Sequence, residues 1–366
     1  MRIERVEAAV CRVDLPYPVR LGGIAYPTRD YVAVRVRTSE GIDGHALAFT
    51  RNAPVAEAAI GLGRGLLGRD PRAVRAIAAE LRRSYVPGWD ALARGVSLLD
   101  IALWDIHAKA ADLPLYRLLG GEDDRIPVIG VAGYFPHERG QDAIVTEVGE
   151  LLAAGHRDIK LVLNTHTPGW DTALLSTLRR DLGDDFGLSV DAHAAWWTVS
   201  EALQAVRPLE AFGLDFLEDP FRPQAPWLTQ RLGEAISTPI AIGEDVSGID
   251  ALQGLLDVAS ILRVDATVSG GITHALSACE IAAAQGVRVL PVVFTPMHGH
   301  LASPFPTITN IEMIPPAVGA DPIEQLLVRP IELEGGELVL ADVPGHGMEL
   351  DWTRVEALSD TVLTTA

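Results

Sequence analysis

The stretch LSVDAHAAWWTVSEALQAVRPLEAFGLDFLEDP, residues 188–220, contains the pattern that decides the fold. A short apolar run ends in Asp191, a helical stretch follows, and a second apolar run ends in Glu218. From Arg125 onward this alternation recurs through eight apolar runs: IPVIGV, DIKLVL, LSVD, LDFLE, PIAIGE, ILRVD, VRVLPV and ITNIEM. Strands that alternate with helices are typical of a parallel sheet, and eight units at this pitch predict a closed (β/α)₈ barrel.

The first 124 residues have a different pattern. YVAVRVRT (31–38) alternates as a half-buried strand does, and RVEAAVCRVDL and DGHALAF predict two more strands of an antiparallel sheet. Helical stretches near 54–66, 71–84 and 90–111 complete a predicted α+β domain over residues 1–124. The barrel is predicted over 125–330 with a shortened seventh helix, and the segment 331–366 is predicted to pack back on the first domain.

Composition excludes several classes of function. The net charge of −19, from 49 acidic against 30 basic residues, argues against nucleic acid as a partner, although a bound cation can invert the local field for a small anion. Cys11 and Cys279 are too few for a disulfide framework or a zinc cluster. The charged N-terminus and the absence of an 18-residue apolar run predict no secretory signal and no membrane span, so a cytoplasmic location is expected.

Acidic residues end four consecutive barrel strands: Asp191, Glu218, Glu244 and Asp265, separated by 27, 26 and 21 residues. The carboxyl ends of barrel strands carry the active site of this fold. Each acid taken alone could be a solvated helix cap. Acids that converge on one mouth repel each other unless a cation lies among them, and oxygen ligands suit Mg²⁺ better than Zn²⁺. The recurrence of Asp191, Glu218 and Glu244 at strand pitch favours a metal site.

The chain resembles the enolase superfamily and, within it, the mandelate racemase-like branch. The motifs that carry this resemblance are GVSLLDIALWDIHAKAADLPLYRLLGG (95–121), VDAHAAW, FLEDP, PIAIGED, VDATVSGGIT and PGHGMELD. The resemblance implies a capping domain over a modified barrel and Mg²⁺ held by Asp191, Glu218 and Glu244. It also implies abstraction of a proton α to a carboxylate, and a homo-oligomer. Loops 20–30 and 44–54 would close the site, with Tyr26 and His45 as candidates for substrate binding.

The sequence departs from the family at both usual bases. The second strand of the family typically ends in two lysines one residue apart; here Lys160 fills the first position and Val162 the second. Lys160 is therefore predicted to be an electrostatic partner of substrate and metal. On the opposite face Asp265 and Glu312 match the acids of strands six and eight, but Val292 occupies the position of the strand-seven histidine.

His193, two residues after Asp191, is then a candidate acid for a leaving hydroxyl, with a hydrogen bond that supports the metal site as the alternative. His298 and His300 are weaker candidates, and His300 fits better as part of the seventh helix. The predicted reaction is dehydration of a sugar acid, because elimination needs acid–base groups on one face only. A lactone cycloisomerase or a racemase is the alternative within the superfamily. A metal-binding barrel that has lost catalysis is the alternative outside it.

Overall fold

The computed structural model describes residues 1–21, 24–84, 89–167 and 169–365. The first part of the chain forms the predicted antiparallel sheet and its helices. The strands are β1 (Ile3–Leu21), β2 (Ile24–Thr38) and β3 (Gly44–Phe49). The helices are α1 (Val55–Gly63), α2 (Val74–Ser84), α3 (Trp89–Ala110) and α4 (Leu115–Leu118), with a 3₁₀ turn at Arg64–Leu66. The three predicted helical stretches correspond to α1 with its 3₁₀ extension, α2 and α3.

All eight predicted apolar runs contain a strand. The strands are β4 (Arg125–Ala132), β5 (Asp158–Val162), β6 (Gly187–Asp191), β7 (Leu217–Glu218), β8 (Ile240–Ile242), β9 (Ile261–Val264), β10 (Arg288–Pro291) and β11 (Ile311–Met313). The helices among them are α5 (Pro136–Arg139), α6 (Gln141–Ala153), α7 (Trp170–Leu182), α8 (Val199–Val206), α9 (Pro226–Gly233), α10 (Ile249–Gln253), α11 (Ala266–Ser269), α12 (Ile272–Gln285) and α13 (Thr295–Ala302).

The strands are arranged in chain order around the barrel. Each strand from β4 to β10 pairs in parallel with the next, and β11 pairs in parallel with β4. Within the described ranges no ladder joins β10 to β11. The Val289 amide instead donates to the Thr307 carbonyl, just before β11, at 3.1 Å. The architecture is therefore the predicted modified barrel with one loosely joined seam. Helix α13 beside that seam is short, as expected from the prolines that follow it at 304 and 306.

The C-terminal segment returns to both parts of the molecule. It contains β12 (Leu333–Glu334), β13 (Glu337–Val339), α14 (Trp352–Ala357) and β14 (Ser359–Thr364). Strand β13 pairs with β4, and β14 adds to the capping sheet, whose order is β14-β1-β2-β3. The tail thus completes the capping domain, as the sequence predicts, although helix α14 was not predicted.

Helix α3 joins the capping domain to the barrel. All its residues from 96 to 106 are buried, because the capping sheet and the barrel cover opposite sides of the helix. Two of its polar side chains bind the start of α12: Asp100 accepts bonds of 2.9 and 2.6 Å from the amide and hydroxyl of Thr273, and Trp104 donates to the same hydroxyl at 2.9 Å. These bonds fix the capping domain above the barrel mouth.

The interior of the barrel is apolar at one level and charged at another. The apolar cluster consists of Ile129, Phe216, Ala241, Ile261 and Leu290. Branched and aromatic side chains are the usual filling of such a barrel, and each contributes about 1.5–3 kcal/mol when fully buried. Cys11 and Cys279 are both buried free thiols. No helix in the described part of the chain is long and apolar enough to cross a membrane.

Candidate active site

Five acidic side chains meet at the carboxyl ends of the barrel strands. Asp191 and Glu218 end β6 and β7 and are register partners in that ladder. Asp265 directly follows β9, and Glu312 lies within β11. Glu244, two residues after β8, is partly buried, and the other four are buried. Because parallel strands end at the same rim, residues distant in sequence converge here.

Lys160 lies at the centre of this group and is 1% exposed. Its Nζ donates to Glu218 Oε2 at 2.7 Å and to Asp191 Oδ2 at 3.0 Å. It also lies 2.7 Å from Glu312 Oε1. Burial alone would lower the pKa of Lys160, but these three carboxylates outweigh it and raise the pKa well above the ordinary lysine value. Lys160 therefore stays charged and is unsuited to accept a proton; its electrostatic role toward substrate and metal stays a prediction.

Arg263 is a second buried cation in the group and was not predicted. Its side chain on β9 is 0% exposed. Its Nε lies 2.9 Å from Glu218 Oε1, and its Nη2 pairs with Glu312 and lies 3.8 Å from Glu244 Oε2. Its Nη1 donates to the Leu290 carbonyl at 3.3 Å. Two internal cations thus partly neutralise the carboxylates that the sequence nominates for metal binding.

Three carboxylates have the spacing of a cation site. Oxygen atoms of Glu218, Asp219 and Glu244 all lie within 4.8 Å of one another. Burial raises the pKa of Glu218 to about 7, and burial together with repulsion among the three raises the pKa values of Asp219 and Glu244 well above normal. Glu218 Oε1 is buried and has no hydrogen bond in suitable geometry. A hard divalent cation that prefers oxygen ligands would relieve this repulsion, so the residues present fit Mg²⁺.

Asp191 is the predicted metal ligand that the structure places outside this trio. Its Oδ1 accepts a 2.8 Å bond from the His193 amide, and its Oδ2 lies 3.3 Å from His193 Nε2 as well as beside Lys160. Burial pushes the pKa of Asp191 up, but His193 and Lys160 outweigh burial and hold it at about 2. Asp191 is thus ionised at the edge of the trio, and its role as a ligand stays a prediction.

His193 is aimed at this edge by an unusual backbone turn. His193 and Ala194 have φ values of 48° and 56°, a region that costs free energy for residues other than glycine. The turn brings the imidazole back toward Asp191 and places it 6.2 Å, centroid to centroid, from the ring of Tyr134. Burial lowers the pKa of His193, and Asp191 only partly offsets this. A neutral imidazole at neutral pH can take up a proton.

On the β10 side of the mouth, the candidate histidine is enclosed by backbone groups. Val292 is 3% exposed, and His298 is fully buried. His298 Nδ1 bonds the Val293 carbonyl at 2.6 Å, and its Nε2 accepts from the Ala266 amide at 3.0 Å. Asp265 Oδ1 lies 3.8 Å from His298 and accepts a bond from an amide at the start of α11. Because both ring nitrogens of His298 are occupied by backbone groups, this histidine has no free position for substrate.

Two further candidate histidines also have structural partners. His300 Nδ1 accepts from the Tyr116 amide at 3.1 Å, and His45 Nδ1 accepts from the Leu350 amide at 3.2 Å. Burial lowers the pKa of each to about 3. None of the described contacts of His45 is with the acidic group at the mouth; they join β3 to α3 and to the C-terminal tail. The predicted role of His45 in substrate binding is therefore not supported by its position, because its ring is used to attach the tail.

The second capping loop reaches the mouth through Arg51 instead. Arg51 Nη2 lies 3.5 Å from Glu244 Oε1, and the guanidinium stacks 5.4 Å from the centroid of the Phe49 ring. Tyr26 borders a separate recess in the capping domain that Arg29 and Arg51 also line. The role of Tyr26 in substrate binding stays a prediction.

The side of the mouth formed by β5 is open. A pocket there is lined by Val162, Tyr134 and His193, and further out by His137 and His166, whose rings stack 5.5 Å apart. Val162 thus forms part of the pocket wall where the family lysine would stand. Titratable and polar side chains line the pocket around it, so the accessible acid–base groups lie on this side.

Sequence reasoning missed two members of the site. Arg263 lies in ILRVD, two residues before Asp265, as Lys160 lies two residues before Val162. Side chains two residues apart on a strand share a face. Arg263 therefore shares a face with Asp265, and this spacing could have identified it. Asp219 directly follows Glu218, and only its backbone, with a φ of 40°, turns the carboxylate toward the same cation position. Sequence carries no clear signal for that turn.

Comparisons with known proteins agree with this architecture. Residues 5–120 match the N-terminal domain of the mandelate racemase / muconate lactonizing enzyme family, and residues 143–354 match the enolase C-terminal domain-like family. The chain is 28% identical to L-talarate/galactarate dehydratase of Salmonella typhimurium over 97% of this chain and 92% of that one. It is also 28% identical to 3,6-anhydro-alpha-L-galactonate cycloisomerase of Streptomyces coelicolor, over 98% and 99% of the two chains.

Solved structures match over nearly the whole chain. L-talarate dehydratase from Polaromonas sp. JS666, complexed with Mg and L-glucarate, superposes with a TM-score of 0.88 at 25% identity and covers 99% of this chain and 98% of that one. A racemase from Streptomyces coelicolor with bound magnesium also gives a TM-score of 0.88, at 28% identity over 98% and 99% of the chains.

Proposed function

The chain belongs to the mandelate racemase / muconate lactonizing enzyme family of the enolase superfamily, and on that basis we propose that it is a Mg²⁺-dependent enzyme that dehydrates a sugar acid. The reaction begins with removal of the proton α to a carboxylate, which gives an enediolate. Loss of the β-hydroxyl as water and tautomerisation then give a 2-keto-3-deoxy acid. The relatives that act on sugar acids support this class of substrate.

One observation carries the choice of elimination. The β10 side presents buried Val292 and a His298 whose ring nitrogens are both bonded, whereas the β5 side is an open pocket that contains His193. Racemisation needs a base on each face of the substrate, and elimination needs acid–base groups on one face only. The asymmetry of the mouth therefore favours elimination.

The residues at the mouth then have separate roles. Glu218, Asp219 and Glu244 would hold Mg²⁺, with Asp191 beside them. The cation, when bound, supplies positive charge against the developing enediolate. Lys160 adds a second fixed positive charge that does not titrate near neutral pH.

His193 is the group suited to move protons. Its Nε2 lies 3.3 Å from Asp191 Oδ2, and its ring faces the open pocket. The electron pair of the Cα–H bond forms the enediolate while Nε2 takes the proton. The same imidazolium can then protonate the departing hydroxyl, so that water leaves and the neutral ring returns. One side chain on one face thus completes the elimination.

A lactone cycloisomerase is the second candidate, because opening or closing a lactone also uses one face and a relative is a D-galactarolactone cycloisomerase. A panel of sugar acids and their lactones, incubated with Mg²⁺ and read by mass, separates the two. Loss of water without isomerisation supports the dehydratase. A product of unchanged mass whose lactone ring has opened or closed, identified by NMR, would instead support the cycloisomerase. Binding of Mg²⁺ without any turnover, in the wild type and over the whole panel, would support a catalytically silent barrel.

A further inference from the structure

Arg263 approaches the acidic trio from inside the barrel. Its Nε lies 2.9 Å from Glu218 Oε1, the carboxylate oxygen that lacks a well-oriented hydrogen bond, and its Nη2 lies 3.8 Å from Glu244 Oε2. Arg263 Nε is likewise buried without a hydrogen bond in suitable geometry. The close approach to Glu218 is thus an ion contact rather than a formed hydrogen bond. Such a contact leaves the lone pairs of Oε1 available to another cation.

Lys160 relates to the trio differently. It contacts Glu218 through Oε2, and its other partners are Asp191 and Glu312, which lie outside the trio. Lys160 thus has an ion contact with one member of the trio, Glu218, whereas Arg263 has ion contacts with two, Glu218 and Glu244. A metal ion and the guanidinium would therefore use the same pair of carboxylates.

We propose that Arg263 is a positioning residue that weakens Mg²⁺ binding by sharing Glu218 and Glu244 with the metal. The guanidinium holds the carboxylates together in the metal-free barrel, which avoids the full cost of their repulsion. The same fixed charge then repels an incoming dication, and this repulsion is strong because the side chain is fully buried and poorly screened. The Arg263 guanidinium thus competes with Mg²⁺ for the same carboxylates and lowers the affinity for the metal.

A purely structural role for Arg263 makes the opposite prediction. The guanidinium also pairs with Glu312 on β11 and donates to the Leu290 carbonyl on β10. It therefore spans the seam where, among the described residues, no ladder joins these two strands. If Arg263 served only to hold that seam, its loss would disorganise Glu218 and weaken metal binding. The sign of the change in affinity separates the two roles.

The test is Mg²⁺ affinity measured by calorimetry at fixed pH and ionic strength, without substrate. Arg263→Gln is expected to bind Mg²⁺ about tenfold more tightly than the wild type. Arg263→Lys keeps the charge and is expected to stay within about threefold of the wild type. Arg288→Gln is the matched control, because Arg288 bonds Asn310 and has no described ion pair with the carboxylates at the mouth. Its affinity should not change.

A second comparison covers the case in which Arg263→Gln does not fold. Glu312→Gln and the double variant Arg263→Gln/Glu312→Gln are compared, since a buried pair replaced on both sides by neutral groups is better tolerated than one broken on one side. The double variant should bind Mg²⁺ about tenfold more tightly than Glu312→Gln. Equal or weaker binding in either comparison would overturn the proposal. The inference rests on the proposed metal site and not on the proposed reaction; failure of the wild type to bind Mg²⁺ would refute the site itself.

Discussion

The β5 and β10 sides of the barrel mouth both carry a valine where the family has a base, yet their surroundings differ. Val162 on the β5 side lines an open pocket together with His193, His137 and His166. On the β10 side, Val292 is buried beside a histidine bonded on both ring nitrogens. Both valines are buried, but Val162 borders a pocket lined by acid–base groups, whereas Val292 lies beside a histidine whose ring nitrogens bond the backbone.

This difference shows that the loss of a base has two structural outcomes. Where the neighbouring polar groups stay unbonded, another residue on the same face can take over proton transfer. Where backbone amides and carbonyls use them, the face becomes part of the core, because buried polar groups that are already satisfied gain nothing from a substrate. Under the proposed function, proton transfer is then confined to the β5 side.

Glu218→Gln should have the largest effect, because it neutralises the carboxylate of the trio that contacts both Lys160 and Arg263. We expect Mg²⁺ affinity to fall by at least about a hundredfold. Turnover should be lost. The free energy of unfolding should fall by about 3 kcal/mol, because Lys160 and Arg263 each lose a buried partner. Calorimetry and denaturant unfolding measure these changes. Glu280→Gln, on the exposed face of α12, is the control and should leave Mg²⁺ affinity, turnover and stability unchanged. Retained turnover in Glu218→Gln would refute the site.

His193→Gln tests the open side. Turnover should fall by about 10²- to 10⁴-fold, the usual contribution of a positioned acid–base group. Mg²⁺ affinity should stay within about threefold, because the trio of carboxylates is retained and Gln can keep a polar contact near Asp191. Steady-state kinetics and calorimetry on the same preparation separate these readouts. A parallel loss of affinity and turnover would mean that His193 only supports the metal site.

His298→Gln tests the closed side and should show the reverse pattern. The variant loses two backbone hydrogen bonds in the core, so stability should fall by about 1–3 kcal/mol. The turnover number should stay within about threefold, since His298 has no free ring nitrogen. Urea unfolding and kinetics measure the two quantities. A loss of turnover as large as that of His193→Gln would show that both sides take part in catalysis.

His166→Ala should have the smallest effect. The ring stacks on His137 at the outer part of the pocket, away from the carboxylates, so it is placed to contact the distal end of a substrate. We expect KM to rise about three- to tenfold with little change in kcat, in keeping with the loss of one exposed hydrogen bond. A fall in kcat instead would place the ring next to the reacting carbon.

Much of the fold follows from periodic signals. The strand pitch that separates Asp191, Glu218 and Glu244 depends only on local alternation, so both the barrel and the convergence of these acids could be predicted. The placement of Lys160 and Glu312 beside them followed from family spacing. The homo-oligomer that the family resemblance implies stays a prediction.

The unpredicted features depend on contacts that are distant in sequence. Whether His45 faces the pocket or the tail is decided by Leu350 and its neighbours, about 300 residues away. Whether His298 Nε2 is free for substrate likewise depends on an amide at the start of α11, which donates to it. Hydrogen-bond partners of this kind carry no periodic signal, so a single sequence cannot distinguish an accessible histidine from a structural one.

The most direct test of the one-sided mouth is turnover in D₂O with Mg²⁺, with both product and recovered substrate analysed by mass and chirality. For the acid that reacts, we predict a 2-keto-3-deoxy product and recovered substrate of unchanged configuration. Recovered substrate that is epimerised at the α-carbon and carries deuterium there would require a working base on each face. That result would contradict the account.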